Sequence, residues 1–135
     1  NAQEFISILQ KNGILVGLVS GGFSPIVERL AKSLDIFYFS VNQLEVKDGF
    51  LTGRLVGEIV TGQVKESTLE KWRTELGLPK ERTIAIGDGA NDLLMLKSAG
   101  HSIAFCAKEV VKAEIACHVN KRDLLEVLPL IDFLE

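Results

Sequence analysis

Cysteine, histidine, methionine and proline are all scarce in this 135-residue chain, and each scarcity removes a class of protein. The two cysteines, Cys106 and Cys117, make neither a disulfide framework nor a metal knuckle. Each lies in an apolar stretch and is expected to be a buried thiol in a reducing cytosol, so the expected location is cytoplasmic. The two histidines lack metal-ligand spacing and read as structural: His101 in a Gly-His-Ser turn, His118 beside Cys117. Three prolines, no Pro/Ser-rich linker, no repeat and no low-complexity stretch leave nowhere for a boundary, so residues 1–135 read as a single domain. The longest apolar runs, such as residues 14–19, are far too short to span a bilayer, and no stretch has the make-up of a signal peptide. A net charge of −3 advertises neither a nucleic-acid nor an anionic-membrane partner. The only methionine is Met95, and the chain opens Asn1-Ala2-Gln3, which points to missing upstream residues or a cloning remnant.

What is present suits a packed domain. The apolar share of 47% against 24% charged is too apolar for a disordered chain. A chain of this length buries roughly 70% of its unfolded surface. Helical and extended patterns alternate. Phe5, Ile6 and Leu9 make a helical stripe that stops at Asn12-Gly13. Residues 14–19 form a continuous apolar run of buried parallel-strand type. Ser24 and Pro25 suit an N-cap and first turn for a helix running to about Leu34. A second strand is expected over 36–41 and a hairpin over 44–58, turning at Lys47-Asp48-Gly49. A helix over 64–76 ends at Gly77, with Leu69, Trp72 and Leu76 on its apolar face. A buried strand over 83–87 leads to a helix over 92–98; strands at 102–106 and 116–119 and helices at 109–115 and 122–134 follow. Such alternation means a parallel α/β sheet, whose chemistry gathers at the carboxyl ends of its strands.

Two strand ends and one helix start stand out. The run Gly87-Asp88-Gly89-Ala90-Asn91-Asp92 delivers the Asp88 carboxylate at a strand end, with Gly87 and Gly89 allowing a sharp turn. Hard cations such as Mg²⁺ take few carboxylate oxygens and keep other positions for water and phosphate. Asp88 suits that role, and Asp92 is near enough to hold a metal-bound water or orient a neighbour. A lone Asp-Gly would be only a turn. In Ser20-Gly21-Gly22-Phe23, the Ser20 hydroxyl and the Gly21 N–H, entering a helix N-terminus, make a phosphate cradle, although Ser-Gly-Gly is also a plain turn. Lys65 begins a helix, where its charge opposes the helix dipole. It is either a solvated surface charge or, if it faces the same cleft, a positive charge for a transferring phosphoryl group. Lys121-Arg122 reads as a solvated charge pair and Trp72 as core.

In order and spacing, Ser20-Gly21-Gly22-Phe23, Lys65 and Gly87-Asp88-Gly89-Ala90-Asn91-Asp92 resemble motifs two to four of the haloacid dehalogenase superfamily. Val46-Lys47-Asp48-Gly49, Leu51-Thr52-Gly53 and Ile103-Ala104-Phe105-Cys106-Ala107-Lys108 are similar to its phosphoserine phosphatase branch. The resemblance runs from about Glu4 onward. It implies a three-layer, Rossmann-like α/β core with a parallel sheet and a β-hairpin extension. It also implies a Mg²⁺-dependent phosphomonoesterase working through an aspartyl-phosphate, with O-phosphoserine as the substrate. Ser20 and Gly21 would bind phosphoryl oxygens, Lys65 would neutralise the nucleophile–phosphate pair and Asp88 would bind Mg²⁺. Asn91 would contact substrate and Asp92 would support the site from behind.

The departure from the family is at its first motif. Such enzymes begin with a strand ending in Asp-x-Asp, the first Asp being nucleophile and the second the general acid/base. The six aspartates, Asp35, Asp48, Asp88, Asp92, Asp123 and Asp132, include no such pair, and no segment corresponds to the substrate-recognising cap. The 135 residues alone are therefore expected to be inactive. In the family fold the nucleophile strand lies between the strand ending at Ser20 and the one ending at Gly87. A gap is expected there, filled by a lost N-terminal piece or by strand exchange in a homo-oligomer rather than closed by direct pairing. Two rivals remain: a phosphatase of the same superfamily for another small phosphate monoester, and a domain that binds phosphate or a partner without turnover. A P-type ATPase phosphorylation domain shares the Gly-Asp-Gly-x-Asn-Asp run, but its inserted nucleotide domain and membrane spans have no room here.

Overall fold

The computed structural model describes residues 2–23, 26–36, 38–56 and 60–131. Helix α1 (Ala2–Lys11) carries the Phe5 and Leu9 stripe and ends where Gly13 takes a left-handed turn at φ 76°. Strand β1 (Gly17–Phe23) starts later than the apolar run at 14–19 suggests, because Ile14 is still bonded to the Leu9 carbonyl at 3.0 Å. It also runs later, through Ser20-Gly21-Gly22-Phe23, with a register shift between Val19 and Phe23. The expectation that the Gly21 N–H enters a helix N-terminus is thereby corrected: Gly21 belongs to the irregular end of β1, and helix α2 (Ile26–Ser33) begins five residues beyond it. Ser24 and Pro25, the expected cap and first turn, lie outside the described residues.

The second strand and the first arm of the hairpin are one element, β2 (Tyr38–Lys47). Its first half pairs parallel with β1, from Gly17 opposite Tyr38, and its second half pairs antiparallel with β3 (Phe50–Val56). One strand thus serves two neighbours in succession, which periodicity along the chain does not reveal. The turn is where it was expected. Asp48 and Gly49 have φ of 52° and 81°, the mirror-image two-residue turn whose twist matches paired strands.

Helix α3 (Gly62–Glu75) leads to β4 (Ile84–Gly87), a 3-10 turn at Ala90–Asp92 and helix α4 (Leu93–Ser98). Strand β5 (His101–Phe105), helix α5 (Glu109–Lys112) and strand β6 (Cys117–Val119) follow. His101 opens β5 instead of lying in a turn, its N–H donating to the Thr83 carbonyl at 2.9 Å. Cys117 is exposed and Cys106 half-buried, so the expectation of two buried thiols is corrected: β6 is a short edge strand and leaves one face open. The last segment, expected as a helix, is a 3-10 stretch at Leu124–Leu130, interrupted by Pro129, with residues 132–135 outside those described.

Strands β4, β5 and β6 pair in parallel and separate two apolar layers. Ala85 and Ala104 face a cluster containing Met95, Leu96, Val111 and Ile115. Their neighbours Ile84, Ile86, Ile103 and Phe105 face the other way, onto Phe5, Leu9, Val127 and Ile131. Small residues on one face let the helices approach closely, while branched and aromatic ones fill the other. The architecture is helices over a parallel sheet over helices, the three-layer α/β core expected.

That sheet is in two parts. The strand orders are β1-β2-β3 and β4-β5-β6, and β1 does not pair with β4. Leu96 is fully buried at the centre of the first cluster. Leu96→Ala is therefore expected to lower the unfolding free energy by about 2–5 kcal/mol. Urea titration followed by circular dichroism checks this; a loss below about 1 kcal/mol would contradict that packing.

Candidate active site

The cleft is built where β4 ends and where β1, at Val19-Ser20, leaves its regular pairing with β2. Thr61 caps α3, its hydroxyl oxygen accepting from the Val64 N–H at 3.3 Å. This sets Lys65 in the first turns of the helix, aimed at the loop after β4. A cation there is opposed by the helix dipole, and Lys65 is also 93% removed from solvent, being 7% exposed. The compensation is Asp92. Lys65 Nζ donates to Asp92 Oδ1 at 2.6 Å, and both side chains are buried.

Asp92 works in two directions. Its second oxygen, Oδ2, accepts from the backbone N–H groups of Asp88 at 3.1 Å and Gly89 at 3.2 Å. The Asp92 N–H in turn donates to the Gly89 carbonyl at 2.9 Å. Burial by itself pushes the pKa of this carboxyl up, but the Lys65 hydrogen bond and charge and the two backbone donors outweigh it, and the pKa lies below the ordinary value. Asp92 is therefore held as an anion that orients Lys65 and shapes the Asp88 loop.

Gly87 is required by closeness, not by backbone angle. A Cβ there would lie 2.6 Å from the Asp92 Cβ and 2.8 Å from its Cγ. Gly89 has φ −119°, an ordinary extended value, so the sharp-turn reading of that glycine is corrected. A Cβ on it would instead meet Asn91 Oδ1 at 2.9 Å.

A cleft of about 340 Å³ is lined by Ser20, Lys65, Gly87, Asp88 and Asp92, with Val19, Ile86, Met95 and Phe105 beneath. Three residues distant in sequence, Ser20, Lys65 and Asp88, thus meet at one opening. Gly21 follows Ser20 along β1. Asn91 is exposed and is not among the cleft-lining residues; its backbone carbonyl packs against Gly62 instead. The Lys108 N–H, donating to the Asp88 carbonyl at 3.1 Å, is a support that sequence reasoning missed. Cys106 takes φ 46°, turning the chain after β5 back toward Asp88, a conformation that a cysteine does not announce in the sequence.

Asp88 is exposed, and among the described residues no hydrogen bond or ion pair engages its carboxylate. No group of three or more His, Cys, Asp or Glu side chains among them is arranged to hold a metal. One open carboxylate at a polar mouth fits a cation that takes few protein ligands and keeps water and phosphate around it, as Mg²⁺ does. His118 is occupied structurally, its ring Nε2 lying 3.0 Å from the Lys112 carbonyl and also against that of Ile115.

Residues 1–97 match the haloacid dehalogenase-like hydrolase family. The chain is 50% identical to a phosphoserine phosphatase of Streptococcus thermophilus over 131 residues, 97% of this chain and 61% of that protein. It is 44% identical to one of Methanocaldococcus jannaschii over 130 residues, 96% of this chain and 62% of that one. A solved substrate-bound phosphoserine phosphatase complex superposes with a TM-score of 0.92 at 43% identity, over 98% of this chain and 63% of that chain. The chain therefore spans about three-fifths of the length of these relatives.

Removing one member of the buried pair strands the other. Lys65→Met is expected to cost about 3 kcal/mol at neutral pH, and Lys65→Met with Asp92→Leu to recover most of that. Because the pKa of Asp92 is lowered, the stability it contributes is complete above the unfolded carboxyl value of about 3.9 and is lost as pH falls below it. Urea midpoints between neutral pH and about pH 3 should fall more steeply for the parent than for Asp92→Asn. Parallel curves would show that Asp92 has no such role.

Proposed function

The chain belongs to the haloacid dehalogenase-like hydrolase family, and from that membership we propose that it forms the phosphate-binding half of a Mg²⁺-dependent phosphomonoesterase acting on O-phosphoserine. The observation that carries this reading is the convergence of Ser20, Lys65 and Asp88 on one cleft, beside the irregular part of β1 and the carboxyl end of β4. The relatives named phosphoserine phosphatase support the choice of substrate.

Each residue has a part that follows from its chemistry. The Ser20 hydroxyl, with the Gly21 N–H beyond it, holds phosphoryl oxygens at a strand end. Lys65 has three donors, one committed to Asp92, and offers the others with its charge to phosphoryl oxygens. That charge acts in a buried setting, where it is weakly screened and needs no reorganisation during the reaction. Asp92 positions both Lys65 and the Asp88 loop. Asp88 would hold the metal, which when bound neutralises charge on the phosphate. Asn91, exposed beside the loop, is proposed to contact the substrate. The attacking carboxylate of an aspartyl-phosphate route is not supplied by an Asp-x-Asp pair in these 135 residues.

Pure 135-residue chain should therefore release no phosphate from O-phosphoserine at any Mg²⁺ concentration; metal-dependent turnover would overturn that part. In a version extended to the relatives' full length, Asp88→Asn should weaken Mg²⁺ binding, measured by calorimetry, together with activity. Lys65→Ala should lower turnover about 100-fold or more. Near-parental kinetics in either variant would remove that residue from its role. Preference of the extended enzyme for another phosphate monoester would keep the hydrolase and change its substrate.

A further inference from the structure

Asp88 is held at both of its backbone groups, and by two different elements. Its N–H donates to Asp92 Oδ2 at 3.1 Å, and its carbonyl accepts from the Lys108 N–H at 3.1 Å. The first bond ties it to the start of α4 and the second to the loop that follows β5. That second bond is no part of the β4–β5 ladder, which ends with Gly87 opposite Ala104. Nor does helix α5 use it: the Lys108 carbonyl, not its N–H, serves the helix, accepting from Val111 at 3.0 Å and Lys112 at 3.1 Å.

Reaching Asp88 takes a backbone conformation that the local sequence does not favour. Cys106 is still fastened to β6, its N–H donating to the Val119 carbonyl at 2.7 Å, yet it takes φ 46°. The other non-glycine residues with positive φ among those described, Asp35 and Asp48, are aspartates in turns, where a short polar side chain tolerates the left-handed region. Cysteine has no such local compensation, so the surrounding structure must hold Cys106 there. The left-handed turn takes the chain out of the line of β5, and two residues later it meets Asp88. Beyond that contact α5 anchors the loop through Val111, which is fully buried.

We propose that residues 106–108 form a brace that sets the direction of the Asp88 carboxylate, with the Lys108 N–H as its positioning group and Cys106 as its left-handed hinge. A residue has two soft backbone torsions. Bonds at both the N–H and the C=O of Asp88 restrain both torsions, and with them the direction in which its side chain leaves the backbone. The carboxylate itself engages no described hydrogen-bond or ion-pair partner, so the backbone alone aims it into the cleft. The exposed side chain of Lys108 takes no part; the peptide N–H does the positioning. This inference rests on the reading of Asp88 as the residue that holds Mg²⁺.

The test uses the version extended to the relatives' full length and reads Mg²⁺ affinity by calorimetry. Lys108→Pro deletes the N–H and suits the local path, because Lys108 already has φ −70°. Its affinity should fall about tenfold or more, whereas Lys108→Ala, which keeps the N–H, should bind as the parent does. Cys106→Gly should match the parent too, and Cys106→Val, whose branched side chain opposes the left-handed region, should lose affinity as Lys108→Pro does. In the unaltered enzyme the Lys108 amide should exchange slowly with deuterium, and more slowly still at saturating Mg²⁺, a measurement that holds even where the proline variant does not fold. Parental affinity in Lys108→Pro, an equal loss in Lys108→Ala, or a Lys108 amide that exchanges as freely as an exposed loop amide would each overturn the brace. Asp88→Asn separates the two readings: if it alone weakens Mg²⁺ binding, only the brace falls, and if it binds as the parent does, the assignment of Asp88 falls with it.

Discussion

Lys65 and Asp92 hold each other at 2.6 Å in the wall of the cleft, both side chains buried, and neither charge would be stable there alone. Asp92 supplies the anion that a lysine in the first turns of α3 requires, and its other oxygen gathers the N–H groups of Asp88 and Gly89. One carboxylate therefore joins α3, the end of β4 and the start of α4. Gly87 has no room for a Cβ because this carboxylate packs against it. The pair adds little net stability over a well-fitted apolar pair, but losing half of it is expensive. What it supplies is position: an ammonium and an open carboxylate, Asp88, at one mouth.

The rest of the molecule is arranged so that this mouth exists. Alanines on one face of β4 and β5 let α4 pack close, which brings Met95 under the cleft and Asp92 to Gly87. Isoleucines on the other face seat α1 and the segment Leu124–Leu130. The sheet itself stops twice, at β1 and at β4, and the apolar groove between them opens at its polar end into the cleft. Trp72, expected in the core, lines that groove, its ring edge-on to Tyr38 with centroids 5.8 Å apart. An aromatic pair at the side of a strand gap is solvent-facing on one flank, so a helical stripe read from sequence overstates its burial.

Errors in the sequence reading share one origin. Ser20-Gly21-Gly22 suits a turn into a helix, yet the run is an irregular stretch inside β1: pairing with β2 lapses after Val19 and resumes at Phe23. A strand over 36–41 and a hairpin over 44–58 are separate expectations, yet β2 is continuous and changes partner between Asn42 and Gln43. The alternation of elements suggests a helix over 122–134, and the segment with Pro129 inside it forms 3-10 turns. In each case a neighbour or a missing N–H overrode local preference.

Sequence by itself determined the alternation of elements, the Asp48-Gly49 turn and the strand end that carries Asp88, because hydrophobic period, turn residues and an Asp after an apolar run are local signals. It also named Ser20, Lys65, Asp88 and Asp92 through a spacing that resembles a family. Only the tertiary structure decided that Lys65 is buried against Asp92, that Asn91 stays outside the cleft lining and that Lys108 braces Asp88. Those depend on which strands stand side by side and how closely a helix packs, and contacts between residues 27 positions apart leave no period in the chain. The open groove belongs to the same class, since an edge exists only when the sheet around it has formed.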